Sequence, residues 1–283
     1  LLVIRSHSLG NRVGEASQSE LNETWQKVLA KERVQKQANK YIGLQVETNN
    51  CGKCIIIDYE NCNKVKVRFI EPEYEKFCQL GTLLRGGVTN PYFPLVFGKG
   101  FIGVGEYSSK DKRVYRLWKA MLGRCYNPNI PESKKTYSDV TVCDQWLNFQ
   151  NFATWCNSQE FFKAKDNQCN SYHIDKDILV KGNKVYSPET CCFVPQEINN
   201  LVSCKTDKSG KTGVFYRKKY KKFSAQVNLG KQGFKSLGSF ETESEAFQAY
   251  KVAKETYVKQ VAEKWRDNIC EKSYKSLLKW NVL

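Results

Sequence analysis

Lys222-Phe223-Ser224-Ala225-Gln226-Val227-Asn228-Leu229 sets Phe223, Ala225, Val227 and Leu229 against Ser224, Gln226 and Asn228 in strict alternation. Successive side chains of a strand point to opposite faces, so this stretch predicts a strand with one face buried and the other open to solvent or a ligand. Working outward, shorter runs over 213–217 and 234–238 complete a three-stranded antiparallel sheet. Beyond Phe240, Thr242 and Glu245 have capping-box spacing, and Ala246, Ala249, Tyr250, Ala253 and Tyr257 recur at helical spacing. That pattern predicts one helix laid on the sheet, with small side chains letting the two approach closely.

The charge on this segment is one-sided: from Lys205 to the residue before Glu241, ten Lys and Arg face one acid, Asp207. Over all 283 residues, 45 Lys and Arg against 29 Asp and Glu give a formal net charge of +16. Such an excess favours nucleic acid or an anionic membrane surface as partner. No apolar stretch is long enough to cross a bilayer, and Leu1-Leu2-Val3-Ile4, interrupted by Arg5, is too short for a signal-peptide core. The chain starts without Met, which reads as a truncated start. Double-stranded DNA is therefore the expected partner and a membrane is not, while the residues say nothing of protein partners. A basic ribbon fits the major groove, where amides and a guanidinium can read base edges while lysines neutralise phosphates.

The segment closely resembles the plant ethylene-response-factor (APETALA-type) DNA-binding domain. The likeness runs through Thr212-Gly213-Val214, Lys222-Phe223-Ser224-Ala225-Gln226-Val227, Leu237-Gly238-Ser239-Phe240-Glu241-Thr242 and Glu245-Ala246-Phe247-Gln248-Ala249-Tyr250. The resemblance implies docking through the outer sheet face, with contacts at Thr212, Phe215, Arg217, Tyr220, Gln226, Asn228, Phe234 and Ser236. Arg217 keeps the arginine of the plant domains, and Tyr220 stands where they have tryptophan. Lys221, Lys222, Lys231 and Lys235 add phosphate contacts to the expected interface.

The rest of the chain reads as an α+β multidomain protein. Residues 1–40 are polar, with Leu21, Trp25, Val28 and Leu29 at helical spacing. Residues 41–107 carry short alternating strands, including Val65, Val67 and Phe69 between Lys64, Lys66 and Arg68, and predict a small SH3-like β-barrel. Its three cations offer a further phosphate contact, and Asn90-Pro91-Tyr92-Phe93-Pro94 reads as a linker. Helices over about 113–125 and 144–157 carry aromatic core stripes and open a domain over 108–204. The ribbon-and-helix module then spans 205–264, and 265–283 is a helical tail predicted to dock on a neighbouring domain. The twelve cysteines are scattered and read mostly as small buried hydrophobes in a reducing cytosol. Cys51, Cys54, Cys62 and Cys78 lack paired zinc-knuckle spacing, so zinc is not expected.

His173-Ile174-Asp175-Lys176-Asp177, a turn-rich loop, Cys192-Phe193-Val194-Pro195 and Gln196-Glu197-Ile198-Asn199 form a strand, loop, strand and helix. This is the plan of a ββα-metal nuclease motif, in which a general base activates water and a carboxylate holds one divalent metal. With Trp118-Lys119-Ala120-Met121-Leu122, Val140-Thr141-Val142-Cys143-Asp144-Gln145-Trp146 and Gly182-Asn183-Lys184-Val185-Tyr186-Ser187-Pro188, the region resembles HNH proteins of phages and mobile elements. Some members of that group fuse the domain to an APETALA-type module and act as homing endonucleases. Active members carry Asp-His, Asn and His or Asn at positions that here read Asp175-Lys176, Thr190 and Asn199. The resemblance therefore implies a degenerate HNH domain on a DNA-binding protein of the infected bacterial cytoplasm. The alternative is an active nickase with His173 as base and Asp175 and Asn199 holding Mg²⁺ or Mn²⁺. An RNA-binding or structural protein is a third reading. No phosphate-cradling glycine loop points to a nucleotide cofactor.

Overall fold

The computed structural model describes residues 18–129, 139–202 and 213–282, so Thr212, His7 and the cations at 205, 208 and 211 lie outside the described residues. The chain divides into two compact units, one ending at Phe93 and the other beginning at Pro94.

In the first unit, helix α1 (Gln18–Tyr41) buries Ala38 alone, and Leu21, Trp25, Val28 and Leu29 are exposed. Strands β1 (Gln45–Glu47), β2 (Lys53–Asn61), β3 (Lys64–Phe69) and β4 (Tyr74–Cys78) follow, with the short helix α2 (Leu80–Leu84) after them. All three pairings are antiparallel and the order is sequential, β1-β2-β3-β4. The expected alternation is present: Val65, Val67 and Phe69 are fully buried with Cys54 and Ile56. The expected barrel is not: closure would require the two outer strands to pair, and β1 and β4 are instead the edges of an open sheet.

The second unit holds helices α3 (Lys112–Tyr126), α4 (Asp144–Leu147), α5 (Phe149–Ser158) and α6 (Gln196–Val202). Two small strand pairs of the same region use β5 (Thr141–Val142), β6 (His173–Asp175), β7 (Val185–Tyr186) and β8 (Cys192–Val194), with β5 parallel to β7 and β6 antiparallel to β8. The helix expected over 144–157 is two helices, because Asn148 leaves helical geometry and its side chain caps Gln150 of α5. Trp118, Met121, Leu122, Trp146, Phe149 and Phe152 fill the core, and the Trp118 indole donates to the Trp146 carbonyl at 2.7 Å. Residues 94–107, expected to end the barrel domain, belong to this unit. The buried Gln150 amide accepts from the Tyr107 N–H at 3.0 Å and donates to the carbonyls of Ile102 and Tyr107. One amide thus satisfies three backbone groups of the strap, which burial would otherwise leave unpaired.

The ribbon module consists of β9 (Val214–Arg217), β10 (Lys222–Asn228) and β11 (Phe234–Phe240), in the order β11-β10-β9, backed by α7 (Glu243–Lys264). Both capping-box hydrogen bonds of Thr242 and Glu245 form, at 3.3 and 3.1 Å. Its core is continuous with that of the preceding domain. Glu197 of α6 receives Lys264 at 2.7 Å and the Trp265 indole at 2.7 Å. Helix α8 (Glu271–Leu278) closes the chain, with Tyr274 donating to Glu263 at 2.6 Å.

Gly213, at the entry to β9, has φ +78°, and a Cβ there would come within 2.3 Å of the Tyr250 ring and 2.8 Å of the Gln226 carbonyl. Gly213→Ala is expected to lower stability by roughly 2–4 kcal/mol, combining left-handed backbone strain with overpacking. Urea unfolding of the purified chain measures it, and an unchanged midpoint would contradict the close helix–sheet approach.

Candidate nucleic-acid interface

Register decides which side chains meet solvent. Lys222 pairs with Arg217, Ser224 with Phe215 and Ala225 with Val214 on one side of β10. On the other, Ser224 pairs with Ser239, Gln226 with Ser236 and Asn228 with Phe234. Ala225, Val227 and Val214 are buried against α7 with Ala246 and Tyr250. The outer face therefore carries Phe215, Arg217, Lys222, Gln226, Asn228, Phe234 and Ser236. Between Ala225 and Gln226 the register of β11 shifts, leaving Leu237 as the extra residue of a bulge, followed by Gly238 at φ +116°. The bulge flips the alternation, so that Ser236 lies outward while Gly238 and Phe240 follow the helix side. Lys235, expected at the interface, pairs with Val227 and so leaves from the helix side of the sheet, exposed at its end.

Arg217 and Asn228 are exposed, Gln226 is half-buried, and Ser236 is exposed. The Arg217 guanidinium lies over the Phe215 ring at 4.9 Å, a cation–π contact that restrains it. Ser224, across from Phe215, joins hydroxyls with Ser239 at 3.2 Å. The turn from Arg217 to Lys222 projects Lys218, Lys219, Tyr220 and Lys221. Lys219 stands over the 64% exposed Tyr220 ring, and Lys221 adopts φ +50°. Lys222 is ion-paired with Glu241 at 2.7 Å, whereas Arg217, Lys218, Lys219 and Lys221 meet no carboxylate among the described residues. Lys231 sits in a 3-10 turn (Gly230–Gln232) near enough to Asp166 to help lower its carboxyl, after the Asn170 backbone N–H.

A groove of about 980 Å³ runs past the far end of this face. Phe215, Gln226, Asn228 and Phe234 line one side, and Asn167, Gln168, Gln196 and Asn200 of the preceding domain another. These four amides had no sequence signal, since only the shared core brings their segments beside the ribbon.

The second set of expected site residues has a different character. His173 is exposed on β6, opposite Val194, and Asn199 is half-buried on α6. Asp175 is buried, and its Oδ1 accepts the N–H groups of Asp177 at 2.7 Å and Ile178 at 2.8 Å. Burial raises its carboxyl above the ordinary 3.8, against the lowering by those two N–H groups. Lys176, read from sequence as an exposed cation, is buried instead. Its ammonium bridges both Asp177 oxygens at 2.7 and 2.8 Å and the Asn183 carbonyl at 2.7 Å. Thr190 donates to the Val185 carbonyl at 2.8 Å. Among the described residues no three His, Cys, Asp or Glu gather closely enough to hold a metal, and Asp175 spends Oδ1 on its own turn.

The three cations of β3 are paired within the first unit. Lys64 pairs with Glu60, and Lys66 and Arg68 both pair with Glu75, each at 2.7 Å. Their expected phosphate contact therefore competes with ion pairs already formed. The eleven cysteines among the described residues are free, and burial pushes the Cys54 thiol up to about 11. Among the described residues no helix is long and apolar enough to cross a membrane. No family model, curated protein or solved structure matches the chain.

Because the folded form holds the Asp175 proton more tightly than the unfolded chain does, this group favours folding at low pH. Its contribution falls as pH rises from 3.8 through the raised value. Asp175→Asn keeps the turn acceptor without the buried charge and is expected to match or exceed the parent's stability at pH 7. Asp175→Ala orphans two N–H groups and should lose about 1–3 kcal/mol. Urea unfolding of both variants at pH 4 and 7 tests this; a collapse of Asp175→Asn at pH 7 would contradict it.

Proposed function

We propose that the chain is a DNA-binding protein of phage or mobile-element type, acting inside the bacterial host cell, which reads duplex DNA in the major groove with the outer face of β9-β10-β11. The observation that carries this reading is the contrast between strand β3 and the ribbon turn. In the first unit Lys64, Lys66 and Arg68 are each paired with an acid. On the ribbon, Arg217, Lys218, Lys219 and Lys221 are exposed and meet no carboxylate among the described residues, beside the amides of Gln226 and Asn228 on the outer face. Unpaired cations around hydrogen-bonding side chains repel one another and are most stable against phosphates. The resemblance to the ethylene-response-factor domain supports the same face. The HNH-like segment serves in this reading as a folded support, its polar residues committed to their own loop.

Binding to duplex DNA should weaken steeply with salt, with log K falling by about 0.9 per decade of salt for each phosphate neutralised. Replacing Lys218 and Lys219 by Ala and Lys221 by Gly should reduce that slope by roughly 2–3. Glycine suits the left-handed backbone at 221, so the turn survives. Fluorescence anisotropy across a salt series reads both effects, and salt-independent affinity would sink the proposal. Supercoiled DNA with Mg²⁺ or Mn²⁺ separates the nicking alternative. Cleavage by the parent and not by Asp175→Ala would replace passive binding with catalysis, and preference for RNA of equal length would replace the target class.

A further inference from the structure

The chemistry of the outer face points beyond duplex DNA in general to one class of site. Gln226 stands on β10 opposite Ser236, half-buried, and no hydrogen bond within the chain engages its amide among the described residues. Two strand positions on, exposed Asn228 accepts from the Gly230 N–H at 2.9 Å through Oδ1, and its amide hydrogens are uncommitted among the described residues. Directly across from it, Phe234 is 68% exposed. A carboxamide presents one donor beside one acceptor, the complement of adenine N6 and N7 in the major groove. Guanine presents two acceptors, N7 and O6, and calls for the two donors of a guanidinium, while an apolar side chain suits the thymine methyl group. The single guanidinium of this face belongs to Arg217, which pairs across from Lys222. That position is four residues from Gln226, or about 13 Å along the strand.

We infer that this face selects an A·T-rich core, with Gln226 fixing an adenine and Phe234 packing on a neighbouring thymine methyl, bounded on the Arg217 side by a guanine. The inference rests on the DNA-binding reading and adds to it the base class and the residues that choose it. Ribbon strands laid along the groove set the spacing: 13 Å against a rise of about 3.4 Å per base puts the guanine roughly four base pairs from the adenine.

Selection of bound sequences from random duplexes by the full chain, with Gln226→Arg and Phe234→Ala alongside, tests it. The parent should enrich an A·T core and lose about tenfold in affinity when the fixed adenine becomes guanine. Gln226→Arg should exchange adenine for guanine at that one position, and Phe234→Ala should relax the adjacent thymine. Circular dichroism and melting of each variant confirm that the ribbon is folded. Enrichment of a G·C core by the parent, or a Gln226→Arg profile identical to the parent's, overturns the inference. Salt-sensitive binding without base preference overturns it while leaving the DNA-binding reading intact. No duplex binding at all overturns both.

Discussion

The second unit depends on β10 being paired on both sides. Antiparallel bonding to β9 and β11 fixes every side chain of Lys222–Asn228 to one of two faces. Burial of Ala225 and Val227 against α7 then settles which face is inside. A single-residue slip would exchange the faces, sending Gln226 into the core and Val227 to solvent. Burying a valine contributes about 1.5–3 kcal/mol, and an unsatisfied buried amide costs a similar amount, so the observed register is strongly preferred. The polar outer face is thus a by-product of apolar packing, and its composition is free to serve recognition.

Charge is distributed by the same logic. Strand β3 carries Lys64, Lys66 and Arg68 next to Glu60 and Glu75, and their field is largely spent locally. The ribbon carries Arg217, Lys218, Lys219 and Lys221 within five residues, at a turn where they pair with no carboxylate among the described residues. Arg217 is held by stacking on Phe215 rather than by a carboxylate. Stacking restrains the guanidinium while leaving its donors unspent, which lowers the ordering cost of a later contact. The nuclease-like segment shows the opposite arrangement: Asp175, Lys176, Asp177 and Asn183 are bound to one another and hold a loop in shape.

The helix α7 and the three ribbon strands were legible in the sequence because their signals are local. Thr242 and Glu245 bond across three residues, and the alternation in β10 repeats every two. The aromatic helices α3 and α5 were legible for the same reason, through their core stripes. The open edges of the first sheet were not, since closure depends on whether β1 meets β4, a pairing that neither strand's pattern encodes. Nor was the burial of Lys176, which follows from Asn183 seven residues away offering its carbonyl.

By itself, then, the amino-acid order determined the two-faced ribbon, the capped helix behind it and the cationic turn, all of which arise from neighbours within a few positions. Tertiary structure alone decided that the Leu237 bulge turns Ser236 outward and places Lys235 with the helix side, because register is settled by packing across strands. It also decided that Asn167, Gln168, Gln196 and Asn200 flank the face, because a shared hydrophobic core joins segments that the sequence keeps far apart.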